Sequence, residues 1–503
     1  MHIENTILHN PGNTKELPLK SRVLGCWYGK SIGGTLGLPS EGRMERQHLT
    51  FYDPIPTQAP PNDDLELQLV WLHLVETKEV TPSSLAEAWI RHIHYMWDEY
   101  GRCRWNLRRG VPLEEVGRFE NPFHAGMGSP IRSEIWACLF PGDPASAAVY
   151  AAMDASLDHG LEGCVGEVLF AVMQNLLLIG APLADAIETA LKFIPADSET
   201  SRAVQCVREN YLRGLDAWKC YEALIQRFHN PNFTHAPLNV ALTLWALWYG
   251  GSDFGKSILL AVNAGYDTDC TAATVGATLG LLHGKEGIPH RWIAPIGEEI
   301  AVGPGIAGIL APGTLSELTE RTLNAVGRLT PQSWDSSLWE RLSGPPQCRL
   351  EELPGTIGIT PGNTCTPVPW ANGELPEPVK AAGSASWEWI VSEPLERALF
   401  CMAEKGARLY IDDRLVIRCP PGIDYVPAPH RSNKECVVRI RIAPGRYRVR
   451  VELDEAGALQ SASIILLHIN LHLAEWTEKR LPDNATLHPS NQEFTNILIK
   501  KDG

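Results

Sequence analysis

The 503-residue chain shows no sign of a disulfide framework, a membrane span or a secretion signal. Its twelve cysteines include no CxxC pair and no repeated spacing, which is typical of reduced intracellular thiols. No run of about 18 apolar residues is evident, so no membrane-spanning helix is expected. Residues 1–20 are polar and lack the apolar core of a signal peptide. We therefore expect a cytoplasmic protein that does not bind membranes.

Basic residues are too few to give the chain a positive bulk charge. The formal net charge is −15, yet from Ala385 onward 16 basic residues balance 16 acidic ones. The whole excess of negative charge therefore lies before Ala385. A domain of this sign does not attract nucleic acid by bulk charge, although bound metal ions can locally invert the field for an anionic ligand.

The spacing of apolar residues changes along the chain. Between Ser21 and Gly327 it follows the helical period without a series of alternating strands, which predicts an all-α domain. Nine prolines then mark a linker, and from Ser386 a period of two predicts a small β-sandwich. The sequence thus predicts a mainly α protein with these parts: an N-terminal arm (1–20), a helical domain (21–328), a Pro/Gly-rich linker (329–385) and a β-sandwich domain with a C-terminal tail (386–503).

One predicted hairpin of the β-domain alternates basic and apolar residues. Its basic positions are Arg439, Arg441, Arg446, Arg448 and Arg450. A solvated outer face is one interpretation of this pattern, and a site for an anionic polymer or a sister domain is the other. The sequence leaves the partner of this domain unknown.

Two acidic clusters lie about two hundred residues apart. The run Asn62–Asp64 reads Asn-Asp-Asp and heads an apolar stretch, and the run Asp267–Cys270 reads Asp-Thr-Asp-Cys. Each places two carboxylates in what resembles the first turn of a helix, where the helix dipole favours their ionised form. Either cluster alone is also compatible with ordinary capping. Four converging carboxylates would need cations between them, and Mg²⁺ or Mn²⁺ prefer such oxygen ligands.

Small residues follow the second cluster at helical spacing. Ala272, Ala273, Gly276, Ala277 and Gly280 would let a neighbouring backbone approach closely. Because glycine inside a helix costs about 1 kcal/mol relative to alanine, a packing or site-building reason is expected. The tripeptide Gly29–Ser31 superficially suggests a phosphate-binding loop. That interpretation fails because Leu24 stands where the motif needs glycine and no strand precedes it.

With both clusters placed, the chain resembles the ADP-ribosylglycohydrolase family from about Ser21 to Gly284. Four blocks carry the resemblance: the glycine-rich opening Gly25–Glu41 that ends in Pro-x-Glu, the cluster Asn62–Asp64, the glycine loop Gly126–Arg132 followed by Asp154–His159, and the block Asn263–Ala273. The last block is the most specific of the four. The resemblance implies a helical ADP-ribosylglycohydrolase-like fold and a metal-dependent hydrolase that cleaves an ADP-ribosyl or related ribosyl bond.

The resemblance also implies roles for individual residues. Two Mg²⁺ or Mn²⁺ ions would be held by Asp63, Asp64, Asp267 and Asp269, with Asn62 in support. Glu41 would act as general acid/base beside the ions, with Asp63 and Asp269 as further catalytic residues. The loop Gly126, Met127, Gly128 and Ser129 would bind phosphates or the distal ribose through backbone N–H groups. His159 and His235 would contact the sugar or base, and Arg132 would bind a phosphate or pair with Glu134 or another carboxylate.

Three positions depart from the family pattern. The aspartate that the family has in its opening glycine helix is replaced here, near Gly34. Asn62 replaces a threonine, and Cys270 stands where the family often has a metal-ligating threonine. Asn62 still offers a carbonyl oxygen, whereas a thiol is a poor ligand for Mg²⁺. Two alternatives therefore stay open: a hydrolase of a small N-ribosyl compound or nucleoside, and an inactive binding or structural member of the fold.

Overall fold

The computed structural model describes residues 17–95, 98–108, 110–119, 121, 123–344, 357–359, 368–370, 373–375, 377–391, 395–422, 436–457, 462–468 and 495–499. These residues belong to two compact units. The first unit is drawn from Met1–His94 and His124–Pro345, and the second from Tyr95–Phe123 and Pro346–Gly503. Most of the predicted N-terminal arm and C-terminal tail lies outside the described residues.

Helices make up most of the described secondary structure. They are α1 (Leu19–Gly37), α2 (Asp63–Thr77), α3 (Pro82–Arg91), α4 (Asp98–Arg108), α5 (Ser133–Leu139), α6 (Pro144–Ala155), α7 (Leu161–Leu178), α8 (Leu183–Ala190), α9 (Glu199–Leu212), α10 (Ala217–Phe228), α11 (Ala236–Gly250), α12 (Phe254–Asn263), α13 (Thr268–His283), α14 (His290–Ile293), α15 (Leu315–Ala325), α16 (Ser337–Ser343) and α17 (Glu377–Ala382). Only α4 and α17 belong to the second unit. The predicted mainly α fold with a small C-terminal β-domain is confirmed.

The closest helix pair in the first unit is α1 against α13, and glycines make the contact possible. A Cβ atom added to Gly29 would lie 2.0 Å from the carbonyl oxygen of Gly276, and one added to Gly280 would lie 2.0 Å from that of Gly25. Gly33 meets Ala272 in the same way. The backbones of α1 and α13 are therefore in direct contact at several successive turns. This contact fixes the side chains of α1 that lie near the N-terminus of α13.

One described helix is long and apolar enough to cross a membrane by length and composition, contrary to the expectation from sequence. It is α7, whose mean hydropathy is 1.4 and of which 83% is buried inside the protein. It also carries the fully buried Glu167, Gln174 and Asn175. A buried core helix passes the same test of length and composition, so the absence of a membrane partner stays a prediction.

The second unit contains two packed sheets. Its strands are β1 (Ile357–Ile359), β2 (Val368–Trp370), β3 (Gly373–Glu374), β4 (Ser384–Val391), β5 (Leu395–Ala403), β6 (Ala407–Ile411), β7 (Arg414–Cys419), β8 (Val437–Ile442), β9 (Gly445–Leu453), β10 (Ala462–His468) and β11 (Thr495–Ile499). One sheet has the order β11-β8-β5-β10-β3 and the other β4-β9-β6-β7, while β1 and β2 form a separate pair. Buried residues of both larger sheets, such as Phe400 and Val451, share one apolar core.

The arginines of β9 point away from this core and pair with acids. Arg446 lies 3.1 Å from Glu388, and Arg448 pairs with Asp413. The intervening Tyr447 is buried. These contacts favour a solvated outer face over an anion-binding surface. The side chains of Arg439 and Arg441 lie outside the described residues.

Candidate metal and active site

A single asparagine joins the two acidic clusters. Asn62 is the N-cap of α2, and its Oδ1 accepts a hydrogen bond of 2.8 Å from the backbone N–H of Asp64. Its Nδ2 donates a hydrogen bond of 3.1 Å to Oδ2 of Asp269 in the first turn of α13. The two acidic clusters therefore lie close together, and Asn62 connects them through its two hydrogen bonds.

The loop before α13 brings Glu41 to the same place. Gly265 and Tyr266 have φ angles of 75° and 65°, and a Cβ atom at Gly265 would lie 2.6 Å from the Arg43 carbonyl oxygen. The Tyr266 N–H donates to that oxygen at 2.8 Å, and the Gly42 N–H donates to the Tyr266 carbonyl at 3.0 Å. This double link holds the segment after Glu41 against the start of α13.

The resulting carboxylates form two groups that share Asp269. Ligand atoms of Glu41, Asp267 and Asp269 lie within 4.8 Å of one another, and so do those of Asp64, Asp269 and Cys270. Asp64, Asp267 and Asp269 are buried, while Glu41 is half-buried. Asp63, the first residue of α2, is also half-buried and near enough to raise the pKa of Asp64.

A buried cation that no sequence pattern predicted faces Asp64. Lys30 of α1 is 1% exposed, and its Nζ lies 3.3 Å from Asp64 Oδ1 and 3.2 Å from Glu134 Oε1. It also donates to the Ile131 carbonyl at 2.6 Å. Burial lowers the pKa of Lys30, but Glu134 and Asp64 outweigh this and raise it above its usual value. The lysine is therefore charged.

Burial also changes the pKa of two acidic groups on this side of the site, the Asp64 carboxyl and the Cys270 thiol. It raises the pKa of Asp64 well above its usual value; Lys30 opposes the shift, while Asp269 and Asp63 add to it. Burial and the surrounding carboxylates likewise raise the pKa of the Cys270 thiol. The Cys270 Sγ lies 3.6 Å from Asp64 Oδ2 and donates to it. Cys270 is therefore a protonated thiol in this structure.

The donors on the Glu41 side fit a hard divalent cation. Asp269 is 3% exposed, and its buried Oδ1 accepts no hydrogen bond from any residue that the structure describes. Glu41 and Asp267 supply only carboxylate oxygens beside it. Carboxylate oxygens grouped in this way are the donors that Mg²⁺ or Mn²⁺ prefers.

The glycine loop lies against both predicted histidines. The backbone N–H of Gly160, next to His159, donates to the His124 carbonyl at 2.9 Å, and that of Ala236, next to His235, donates to the Ala125 carbonyl at 2.7 Å. Gly126, Met127, Gly128 and Ser129 continue directly from this anchored segment. The structure therefore assembles the loop and the two histidines that the resemblance grouped together.

The two histidines are not equally available to a ligand. His159 is fully buried, with Nδ1 2.9 Å from Asp158 Oδ1. His235 precedes α11 and its Nε2 lies 3.7 Å from Glu199 Oε2. Burial lowers the pKa of His235 to about 4, with a smaller contribution from His124. His124 was not among the predicted site residues, although its place immediately before the glycine loop is a usable signal.

Arg132 forms its contacts inside the protein and not on an open surface. It is fully buried, with Nε 2.9 Å from Asp154 and Nη2 2.6 Å from Asp158. Its Nη1 donates to the Gly128 carbonyl at 2.6 Å, which holds the glycine loop. Burial lowers the pKa of Arg132, but the two aspartates outweigh this and raise it well above its usual value. The geometry favours carboxylate pairing over phosphate binding, with these aspartates rather than Glu134 as partners.

Two further amides connect the parts of the site. Asn239 of α11 accepts from the Asp267 N–H at 3.3 Å and donates to the His235 carbonyl at 3.0 Å. Gln68 of α2 donates to Glu134 Oε2 at 2.9 Å and accepts from the Ile135 N–H at 2.8 Å. Both are fully buried. Their role depends on contacts between distant helices, which explains why sequence patterns did not reveal them.

A family profile described as ADP-ribosylglycohydrolase matches residues 15–330, which is more than half of the chain. The chain belongs to the ADP-ribosylglycohydrolase family. The ADP-ribosylarginine hydrolase Tri1 of Pseudomonas putida is 26% identical over 290 residues, covering 55% of this chain and 73% of that protein. Tri1 of Serratia proteamaculans is 44% identical over 50 residues, covering 10% and 13%.

A solved structure titled "ADP-ribosylglycohydrolase-related protein complex" is also similar to this family member. It is 22% identical, and the match covers 62% of this chain and 98% of the other, with a TM-score of 0.42. Family membership supports glycohydrolase activity on ADP-ribosyl bonds and a generally metal-dependent site.

Proposed function

We propose that this protein is a metal-dependent hydrolase that releases ADP-ribose from an ADP-ribosylated acceptor. The observation that carries the proposal is the convergence of Glu41, Asp267 and Asp269 within 4.8 Å. The bridge from Asn62 to Asp269 supports it, because this bridge brings α2 and its carboxylates to the same point.

The proposed site would hold a divalent cation between α2 and α13, with Asp267 and Asp269 as ligands and Asp63 beside them. Such a cation supplies Lewis-acid positioning of ribose hydroxyls and of a water molecule. Glu41 is half-buried at the edge of this group, where it would take the proton from the attacking water. The backbone of Gly126–Ser129 would donate hydrogen bonds to the diphosphate. His235 is a neutral imidazole near neutral pH and would contact the sugar or base.

The substrate class follows from the relatives. Two matched proteins are named as ADP-ribosylarginine hydrolases. An arginine-linked ADP-ribose is therefore the first substrate to test, ahead of other ADP-ribosylated acceptors and small N-ribosyl compounds. We also place the protein in the cytoplasm, since the described cysteines are buried and no disulfide joins them.

The test is release of free ADP-ribose, followed by chromatography, from ADP-ribosylated arginine peptide with Mn²⁺ and with a chelator. We expect turnover only with Mn²⁺, and we expect Glu41→Gln to lower kcat by at least about a hundredfold. The matched control is Glu45→Gln, which neutralises an exposed acid in the same segment and should keep full activity. Cleavage of a nucleoside but not of the peptide would favour the smaller-substrate alternative. No cleavage of any ribosyl compound would contradict the proposal.

A further inference from the structure

Lys30 places a cationic group beside Asp64, a member of the group of Asp64, Asp269 and Cys270. Its ammonium group makes three contacts of 3.3 Å or less, to Asp64, Glu134 and the Ile131 carbonyl. The contacts to Glu134 and to the Ile131 carbonyl are hydrogen bonds, and the contact to Asp64 is an ion pair. The side chain is fully buried in α1, which the glycine contacts fix against α13. Lys30 therefore has no simple route away from Asp64.

The two oxygens of Asp64 differ in their contacts, and Oδ1 has the ion pair with Lys30 but accepts no hydrogen bond from the described residues. Oδ1 pairs with Lys30, and Oδ2 accepts from the Cys270 thiol at 3.6 Å. The other acid of this group, Asp269, uses Oδ2 to accept from Asn62. The group of Asp64, Asp269 and Cys270 thus presents an ammonium group, a thiol and an amide N–H where a hard cation would need oxygen donors.

The remaining part of the site has the opposite character. Asp269 Oδ1 is buried and accepts no hydrogen bond from the described residues. Its neighbours Glu41 and Asp267 are both carboxylates. The cavity on the Lys30 side is lined by apolar residues such as Ala59 and Leu65 and by one further carboxylate, Glu299. The clustered carboxylates that do not face Lys30 are therefore those of the group formed by Glu41, Asp267 and Asp269.

We propose that the Lys30 ammonium takes the place of one of two divalent cations, so that this protein binds a single Mg²⁺ or Mn²⁺ at Asp267 and Asp269. Asp64 is then a counter-ion of Lys30 and not a metal ligand. This inference rests on the proposed function for the presence of a metal site. It replaces the expectation of two ions that the resemblance implied.

The experiment measures Mn²⁺ binding to the full-length chain by calorimetry and electron paramagnetic resonance, without substrate. We expect one Mn²⁺ per wild-type chain with the spectrum of an isolated ion. Lys30→Met should bind a second Mn²⁺ and show the spectrum of a coupled pair, whereas Lys30→Arg should bind one. In the wild-type background, Asp267→Asn should weaken Mn²⁺ binding at least a hundredfold, and Asp64→Asn less than threefold.

Every outcome of these measurements supports or overturns the inference. Two Mn²⁺ in the wild type, none in the wild type, equal effects of Asp64→Asn and Asp267→Asn, or a folded Lys30→Met chain that binds one ion would each overturn it. If Lys30→Met does not fold, the wild-type stoichiometry and the two aspartate variants still decide. Hydrolysis is measured separately: two bound ions with turnover overturn only this inference, and one bound ion without turnover overturns only the proposed hydrolysis.

Discussion

The side chain of Asn62 donates a hydrogen bond of 3.1 Å to Asp269, a residue 207 positions later in the chain. The same amide caps α2 by accepting from the Asp64 N–H. One small side chain therefore sets both the start of α2 and its distance from α13. Its removal should disturb local helix stability and the site together.

We expect Asn62→Ala to lower the free energy of unfolding by about 2 kcal/mol or more. About 1 kcal/mol comes from the lost cap, and the rest from leaving the buried Asp269 oxygen without its donor. Thr81→Ala is the matched control, because Thr81 caps α3 with a similar side-chain bond away from the acidic clusters. It should cost about 1 kcal/mol only. Chemical denaturation without metal compares them, and equal losses would contradict the bridging role of Asn62.

The unit boundaries lead to a prediction about truncation. A chain that ends at Gly383 keeps all the acidic-cluster residues and should still bind Mn²⁺, because those residues belong to the first unit. The segment Tyr95–Phe123 is grouped in the second unit with Pro346–Gly503, and the truncation removes most of that second range. Limited proteolysis should therefore cut within 95–123 faster in the truncated chain than in the full chain. Loss of all folded structure on truncation, seen by circular dichroism, would show that the first unit is not independent.

His235 should make the protein less stable in mild acid. Burial lowers its pKa to about 4 in the folded state, whereas an unfolded histidine titrates near 6.5. Below pH 6.5 the unfolded chain binds a proton that the folded chain refuses, so stability is fully present above 6.5 and falls as the pH approaches 4. Between pH 7 and pH 5 the loss from this group is about 2 kcal/mol.

Denaturant unfolding at the two pH values tests this expectation in His235→Gln. That variant should lose less stability than the wild type on acidification, by about 2 kcal/mol. The control His290→Gln replaces an exposed histidine and should keep the wild-type pH dependence. An unchanged pH dependence in His235→Gln would show that this imidazole does not resist protonation.

Regular elements of this protein were predictable because their apolar spacing is strong. The helical period before Gly327 and the period of two after Ser386 agree with observed elements such as α12 and β8. Apolar spacing does not give the end of α3 at Arg91, and it gives no clear signal for α4 because that helix is strongly polar on average. Boundaries and polar helices depend on tertiary contacts that periodicity does not record.

The candidate site was predictable only where residue type alone carries the chemistry. The acidic runs indicated metal ligands, and the structure brings Asp64, Asp267 and Asp269 together with Glu41. Lys30 could not be placed in this way, since its partners Asp64 and Glu134 are far away in sequence. In the sequence it was only part of a rejected phosphate-loop motif. Lys30 reaches Asp64 because α1 packs against α13. That packing cannot be deduced from the residues around Lys30 in the sequence.

Adjacent glycines of α1 provide a direct test of this packing. A Cβ atom at Gly33 would lie 2.0 Å from the Ala272 carbonyl oxygen, whereas one at Gly34 would lie 3.4 Å from Asn62 Nδ2, an ordinary contact. Gly33→Ala must therefore push α1 away from α13, at a cost of about 3 kcal/mol or more. Gly34→Ala should instead be neutral or gain up to about 1 kcal/mol from helix propensity.

The two variants add the same methyl group at neighbouring positions. Thermal and chemical unfolding of the two therefore compare the effect of packing. Displacing α1 also moves Lys30 relative to Asp64, and Gly33→Ala should lose the wild-type Mn²⁺ affinity even under conditions where it stays folded. Gly34→Ala should keep that affinity, because its methyl group fits beside Asn62 without moving the helix. Equal stability of the two variants would mean that α1 and α13 can separate freely, and the position of Lys30 would then not be fixed by the fold.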